Sequence, residues 1–135
     1  MSRDRLLLTL VIIYGAASLL HFVHNAVYID AYPNLPVWIT PGVVYVSWLV
    51  IAATGACGYW LYRWGSRVFG LTVIGVYALL GFGGLDHYTL APVSAHSMAM
   101  NATILGEVIA ASALLIVIAL RAASLGQATA PHANN

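Results

Sequence analysis

Residues 6–28 read Leu6-Leu-Leu-Thr-Leu10-Val-Ile-Ile-Tyr-Gly15-Ala-Ala-Ser-Leu-Leu20-His21-Phe-Val-His24-Asn25-Ala-Val-Tyr28. This run contains no Asp, Glu, Lys or Arg and no proline. As a helix it spans about 30 Å, one hydrocarbon thickness. It therefore reads as a membrane-crossing segment, although two imidazoles and an amide stand near its end. Polar side chains at such depth are costly and face a bundle interior.

The rest of the composition agrees. Of 135 residues, 61% are hydrophobic and 7% charged, and mean hydropathy is +0.88. A water-facing surface needs about 25% charged residues. The chain has no lysine and its five arginines are scattered, so no basic patch for nucleic acid exists. A single cysteine, Cys57, forms no internal disulfide and reads as a small buried hydrophobe. Met1-Ser-Arg-Asp-Arg5 followed by an apolar run imitates a signal peptide, but the run continues to Tyr28, long enough to span.

Three more runs follow. Pro33 and Pro36 forbid a helix through residues 29–40, where Tyr32 and Trp38 suit the headgroup level. Thr40-Pro41 is a helix start, a hydroxyl cap before proline. Run two covers about 41–62 and ends in an aromatic and arginine belt, Tyr59–Trp64. Run three covers about 68–85, its end loosened by Gly81, Gly83 and Gly84. Pro92 interrupts the next connection, and Ser94 caps run four, about 95–120. Residues 121–135 are small and polar, and read as a disordered tail in which His132 is solvated. The expected fold is an all-α, four-transmembrane-helix antiparallel bundle in one domain, residues 1–120. Short connections favour it, and Ala52, Gly55, Ala56, Gly58, Gly106 and Ala110 allow close backbone approach.

With four spans, Arg3, Arg5, Arg63, Arg67 and Arg121 all fall at one end. The loops at the other end contain no Arg or Lys, so both termini are expected in the cytoplasm, the membrane being a bacterial inner membrane. His21, His24, Asn25, Asp30, Asp86, His87 and His96 then gather in the outer half. His21, His24 and Asn25 share a helix face at i, i+3 and i+4. His96, Met100, Thr103 and Glu107 share another. Glu107 is near mid-membrane with no Arg or Lys at its depth, so it needs a histidine, metal, hydroxyl, ligand or second chain as partner.

Three functions fit this constellation. The first is a metal or haem site, for redox or lipid-modifying chemistry. His21, His24, His96, Glu107, His87 and Asp86 are the candidate ligands of Zn, Fe or Cu. Haem would take a histidine from each of two spans, such as His24 and His96. Met98 and Met100 near His96 would suit copper(I), although Met98 points off its face. The second is metal-free acid–base chemistry or binding of a sterol-like or other lipid ligand, with Glu107 and His24 as the catalytic pair. In architecture alone this is similar to sterol isomerase-like and sigma-2-receptor-like membrane proteins, with which no motif is shared. The third is a proton-coupled small-molecule transporter acting as a dimer, the simplest homo-oligomer, coupled through Glu107. The inner half shows no comparable polar chain, which argues against a channel. Asn101-Ala-Thr103 matches a glycosylation pattern but lies within a span. No Walker loop, Gly-x-Gly-x-x-Gly, Cys-x-x-Cys or Gly-x-Ser-x-Gly occurs, which leaves nucleotide and thiol-redox activities unsupported.

Overall fold

Buried and half-buried positions on three of the long helices recur at alternating steps of four and three, the 3.5-residue repeat of supercoiled helices. A computed structural model describes residues 3–129. Helix α1 is Arg3–Val27, α2 Pro41–Trp64, α3 Arg67–Leu80, α4 His87–Leu90 and α5 Met98–Thr129. A 3₁₀ turn, Gly81–Asp86, joins α3 to α4 without a break. Short 3₁₀ turns at Ile29–Ala31 and Val93–Ala95 occupy the connections at that end. Among the described residues, four stretches are long and apolar enough to cross a membrane: Asp4–Val27, Pro41–Trp64, Arg67–Leu90 and Met98–Gln127.

The seam of α1 is Leu7, Val11, Tyr14, Ser18, His21 and Asn25. That of α2 is Val44, Trp48, Ile51, Gly55, Gly58 and Tyr62, and that of α5 is Met100, Ile104, Glu107, Ala111, Leu114 and Ile118. α1 packs on α2 and α5, and α3 packs on the same two, so the four helices close a ring in chain order. Ends match antiparallel neighbours: Tyr62 at the end of α2 meets Asp4 at the start of α1. The outward faces carry Ile12, Leu20, Leu49, Ile109, Ile116 and Leu120, all exposed. Such a continuous apolar exterior is what a lipid-facing surface presents.

Local chemistry sets the boundaries. Thr40 accepts from Val43 N and caps α2, with Pro41 in the first turn as expected. Ser66 accepts from Phe69 N and caps α3. The cap of α5 is Ser97, whose Oγ accepts from Met100 N at 3.2 Å. The expected cap, Ser94, lies in the preceding 3₁₀ turn, and His96 is in extended backbone before the helix. Asn34 takes the left-handed conformation (φ 57°), which Asn tolerates, and its amide donates to Leu90 O.

Several expectations shift. α5 continues to Thr129, so residues 121–129 are helical; His132 and the rest of the tail lie outside the described residues. Cys57 is exposed on the outer face of α2. Tyr32 is buried at 4% exposure, whereas Trp38 is exposed. Tyr62 turns into the bundle while Trp60 and Trp64 face outward. Among the small residues, Gly55 and Gly58 meet Tyr77 and Ile74, but Gly106 has open space beside it and Ala56 is exposed. The tightest approach falls at Gly70, where a Cβ would lie 2.3 Å from Tyr62 N.

Candidate functional site

Seam position His21 on α1 faces seam position Glu107 on α5. The two form a buried, hydrogen-bonded pair, His21 Nδ1 with Glu107 Oε2. Exposure is 2% for His21 and 1% for Glu107. Each keeps one buried polar atom without a hydrogen-bond partner among the described residues, His21 Nε2 and Glu107 Oε1. Nδ1 faces the carboxyl group, and Nε2 is the ring nitrogen left for a further partner.

The third wall is the 3₁₀ turn. Residues three apart eclipse one another in a 3₁₀ helix, so Gly81 and Gly84 share a face, and His87 continues it. All three are buried. A Cβ on Gly84 would lie 3.2 Å from His21 Cε1 and 3.4 Å from Glu107 Oε2. A Cβ on Gly81 would lie 2.7 Å from the Tyr14 ring and 2.8 Å from Ala111 Cβ. The glycines thus admit the pair and the tyrosine below it. Toward mid-bundle, Tyr14 and Tyr77 stack with centroids 4.4 Å apart. Tyr14 Oη and Ser18 Oγ are buried, with no hydrogen bond of good geometry among the described residues.

Imidazoles continue outward from the pair. The His21 and His87 ring centroids are 5.5 Å apart, and those of His87 and His96 6.1 Å apart. Asn25 Nδ2 donates to His87 Nε2 at 3.2 Å. His96 Nδ1 donates to Pro92 O at 3.1 Å, while its Nε2 is buried and unpartnered among the described residues. Tyr32 is set among these rings, its centroid 4.8 Å from His87 and 6.4 Å from His96. Burial pushes the Tyr32 phenol up to about 12.

The sequence placed some of these groups and not others. His24 leaves the His21–Asn25 face: its Nδ1 accepts from Tyr32 Oη at 2.9 Å, and it is half-buried. His24 and His96 both contact Tyr32, so a haem shared by them requires Tyr32 to move. Asp30 and Asp86 are exposed, and the Asp86 backbone, through its carbonyl, accepts from Thr89. Among the described residues, no three of His, Cys, Asp and Glu are placed to hold a metal ion. Met98 is 88% exposed, away from His96. Asn101 is a clamp for the loop: it accepts from Tyr88 Oη and donates to Val93 O and His96 O. Tyr32 and Gly84 were missed as parts of the site. The Gly81-x-x-Gly84-x-x-His87 spacing was the available signal for Gly84.

A partly open cavity of about 290 Å³ adjoins the pair between α1, α2 and the Gly81–Leu90 segment. His21, Asn25, Gly84, Asp86 and His87 line one side; Val44, Ser47 and Ile51 line the other; Leu35, Trp38 and Ile39 roof it. It is a mainly apolar chamber with a few polar groups on one wall, the usual make-up of a small-molecule site. No protein-family model, curated protein or solved structure matches this chain.

Proposed function

We propose that this multi-pass membrane protein binds a mainly apolar, sterol-like or other lipid-phase small molecule and exchanges a proton with it through the His21–Glu107 pair. The observation that supports this reading is the buried pair standing beside an apolar cavity, with His21 Nε2 lacking a hydrogen-bond partner among the described residues. In that role Nε2 meets the ligand's polar group, and Glu107 holds the ring orientation and compensates the charge His21 gains. His87 and His96 extend the imidazole series toward the loop end, a route for the proton to leave. Glu107 keeps its place in the acid–base pair expected from the sequence, now as the group that orients the imidazole, and His21 takes the part assigned to His24. We also propose that the arginine-rich end faces the cytoplasm of a bacterial inner membrane, from the asymmetry of the five arginines.

A metal ion is the second reading. It is favoured by the carboxylate on His21 Nδ1, an arrangement that orients a ligating Nε2 in metal sites. It needs further ligands to converge there.

One preparation tests both. Protein purified in mild detergent without a histidine tag is extracted with organic solvent for mass spectrometry and submitted to elemental analysis. The expected result is a stoichiometric apolar compound, absent from Ser47→Trp, which fills the cavity, and from His21→Phe. No compound, with one metal per chain lost in His21→Phe, overturns the first reading in favour of the second.

A further inference from the structure

The end of the bundle opposite the histidines carries all five arginines against a single aspartate, an excess of four positive charges. Asp4 is already taken. Its Oδ1 accepts from Tyr62 Oη at 2.7 Å and from Arg121 Nη1 at 3.2 Å, and Arg63 approaches its Oδ2 at 3.9 Å. Arg121 also donates to Tyr62 Oη at 2.7 Å. Arg67 has no carboxylate within ion-pair distance among the described residues. Its guanidinium lies 5.9 Å from the centre of the Tyr62 ring, which fixes it from one side.

Two cavities meet there. One, of about 220 Å³, is lined by Asp4, Tyr62, Arg67, Arg121 and Ser124, with Leu71 and Leu125 as its floor. The other, of about 480 Å³, is an apolar groove between α3 and α5 that begins at the same Leu71 and Leu125 and runs past Val68, Gly75, Ile118 and Ala122. Gly75 has nothing within 4 Å of a Cβ position, so the groove is open at its centre. A cationic pocket thus continues directly into an apolar channel along the helices.

We infer that this end of the bundle is a binding site for an anionic phospholipid, its phosphate on Arg67 beside the Asp4–Tyr62–Arg121 cluster and one acyl chain in the α3–α5 groove. Charge selects the occupant. A zwitterionic lipid offers the same chain but adds a cation to an end already in positive excess, whereas an anionic headgroup offsets that excess. Each arginine near an anionic headgroup is worth about fivefold in affinity.

The test is native mass spectrometry of the full chain in detergent, titrated with dioleoyl-phosphatidylglycerol and with dioleoyl-phosphatidylcholine. The wild type should retain phosphatidylglycerol the more tightly. Arg67→Gln should weaken phosphatidylglycerol about fivefold and phosphatidylcholine less, because the choline cation offsets the phosphate on which Arg67 acts. Gly75→Leu, whose Cβ meets nothing within 4 Å and whose side chain then occupies the groove, should weaken both, with helical content by circular dichroism preserved. Glycerol phosphate at equal concentration should not displace the lipid, because it has no chain. Equal retention of the two lipids, unchanged phosphatidylglycerol binding in Arg67→Gln, or full displacement by glycerol phosphate would overturn the inference.

Discussion

Replacing His21 by Phe and Glu107 by Met, singly and together, tests whether the buried pair is an ionic unit or ordinary interhelical glue. Both groups are almost fully buried and bond to one another. His21→Phe leaves a carboxyl with neither oxygen partnered, and Glu107→Met leaves an imidazole with neither nitrogen partnered. An orphaned buried polar group costs about 2 kcal/mol, and more if it stays charged. The double variant removes both orphans and replaces them with side chains of similar length. Its cost should be no more than about 1 kcal/mol, since apolar replacement of a buried pair is often close to neutral. The two single costs less the double cost give a coupling energy of about 3 kcal/mol. Neutral hydrogen bonds between membrane helices average about 0.6 kcal/mol in such cycles, so the two cases are well separated. Reversible unfolding in mixed micelles, followed by far-ultraviolet circular dichroism as sodium dodecyl sulfate is added, reads the four free energies. A coupling below about 1 kcal/mol would refute the ionic pair and with it the reason for assigning a proton to this site.

Other outcomes follow from the same geometry. Gly81→Ala, whose Cβ would crowd Tyr14 and Ala111 at under 3 Å, should cost at least about 2 kcal/mol in the same unfolding assay. Gly83→Ala has open space and should be neutral or stabilising by up to about 1 kcal/mol. Gly84→Ala meets His21 Cε1 at 3.2 Å, Glu107 Oε2 at 3.4 Å and His21 Nδ1 at 3.5 Å, so it should cost about 1 kcal/mol while lowering retention of the bound compound more than Gly83→Ala does. Tyr32 should resist ionisation until about pH 12 in an ultraviolet titration of difference spectra against Tyr32→Phe. Because burial raises its folded-state value above the unfolded 10, its contribution to stability is complete below pH 10 and is lost as pH rises through about 12. A normal titration near 10 would show that Tyr32 is not buried among the histidines. In a Cys57→Ala background, Asp30→Cys should react with a membrane-impermeant maleimide added to intact cells, and Arg63→Cys should not; the reverse pattern would invert the proposed orientation.

Span number, the Thr40-Pro41 start and the gathering of polar groups at one end were legible in residue order. They depend on local quantities: run length against bilayer thickness, proline's missing N–H, and the arginine distribution. The partners were less legible. His21, His24 and Asn25 lie within one turn, and helical spacing alone put all three on one face. The actual seam follows a 3.5-residue repeat that keeps His21 and Asn25 and turns His24 toward Tyr32. In a soluble bundle the apolar stripe would have marked that seam. Here lipid and bundle interior are equally apolar, so hydrophobicity does not separate the inner face from the outer. What marks the inside is size and polarity, as at Ser18, Gly55, Gly58, Gly84 and Glu107.

Four membrane-length helices, and a glutamate and several histidines too costly to leave facing lipid, thus follow from residue order alone. The pairing of His21 with Glu107, the room that the Gly81–Asp86 turn makes for them and the turning of His24 toward Tyr32 belong to the folded arrangement. The physical reason is that burying a polar group needs a complementary group from a distant part of the chain, 86 residues away for this pair. That choice depends on helix rotation, which neighbouring residues do not set.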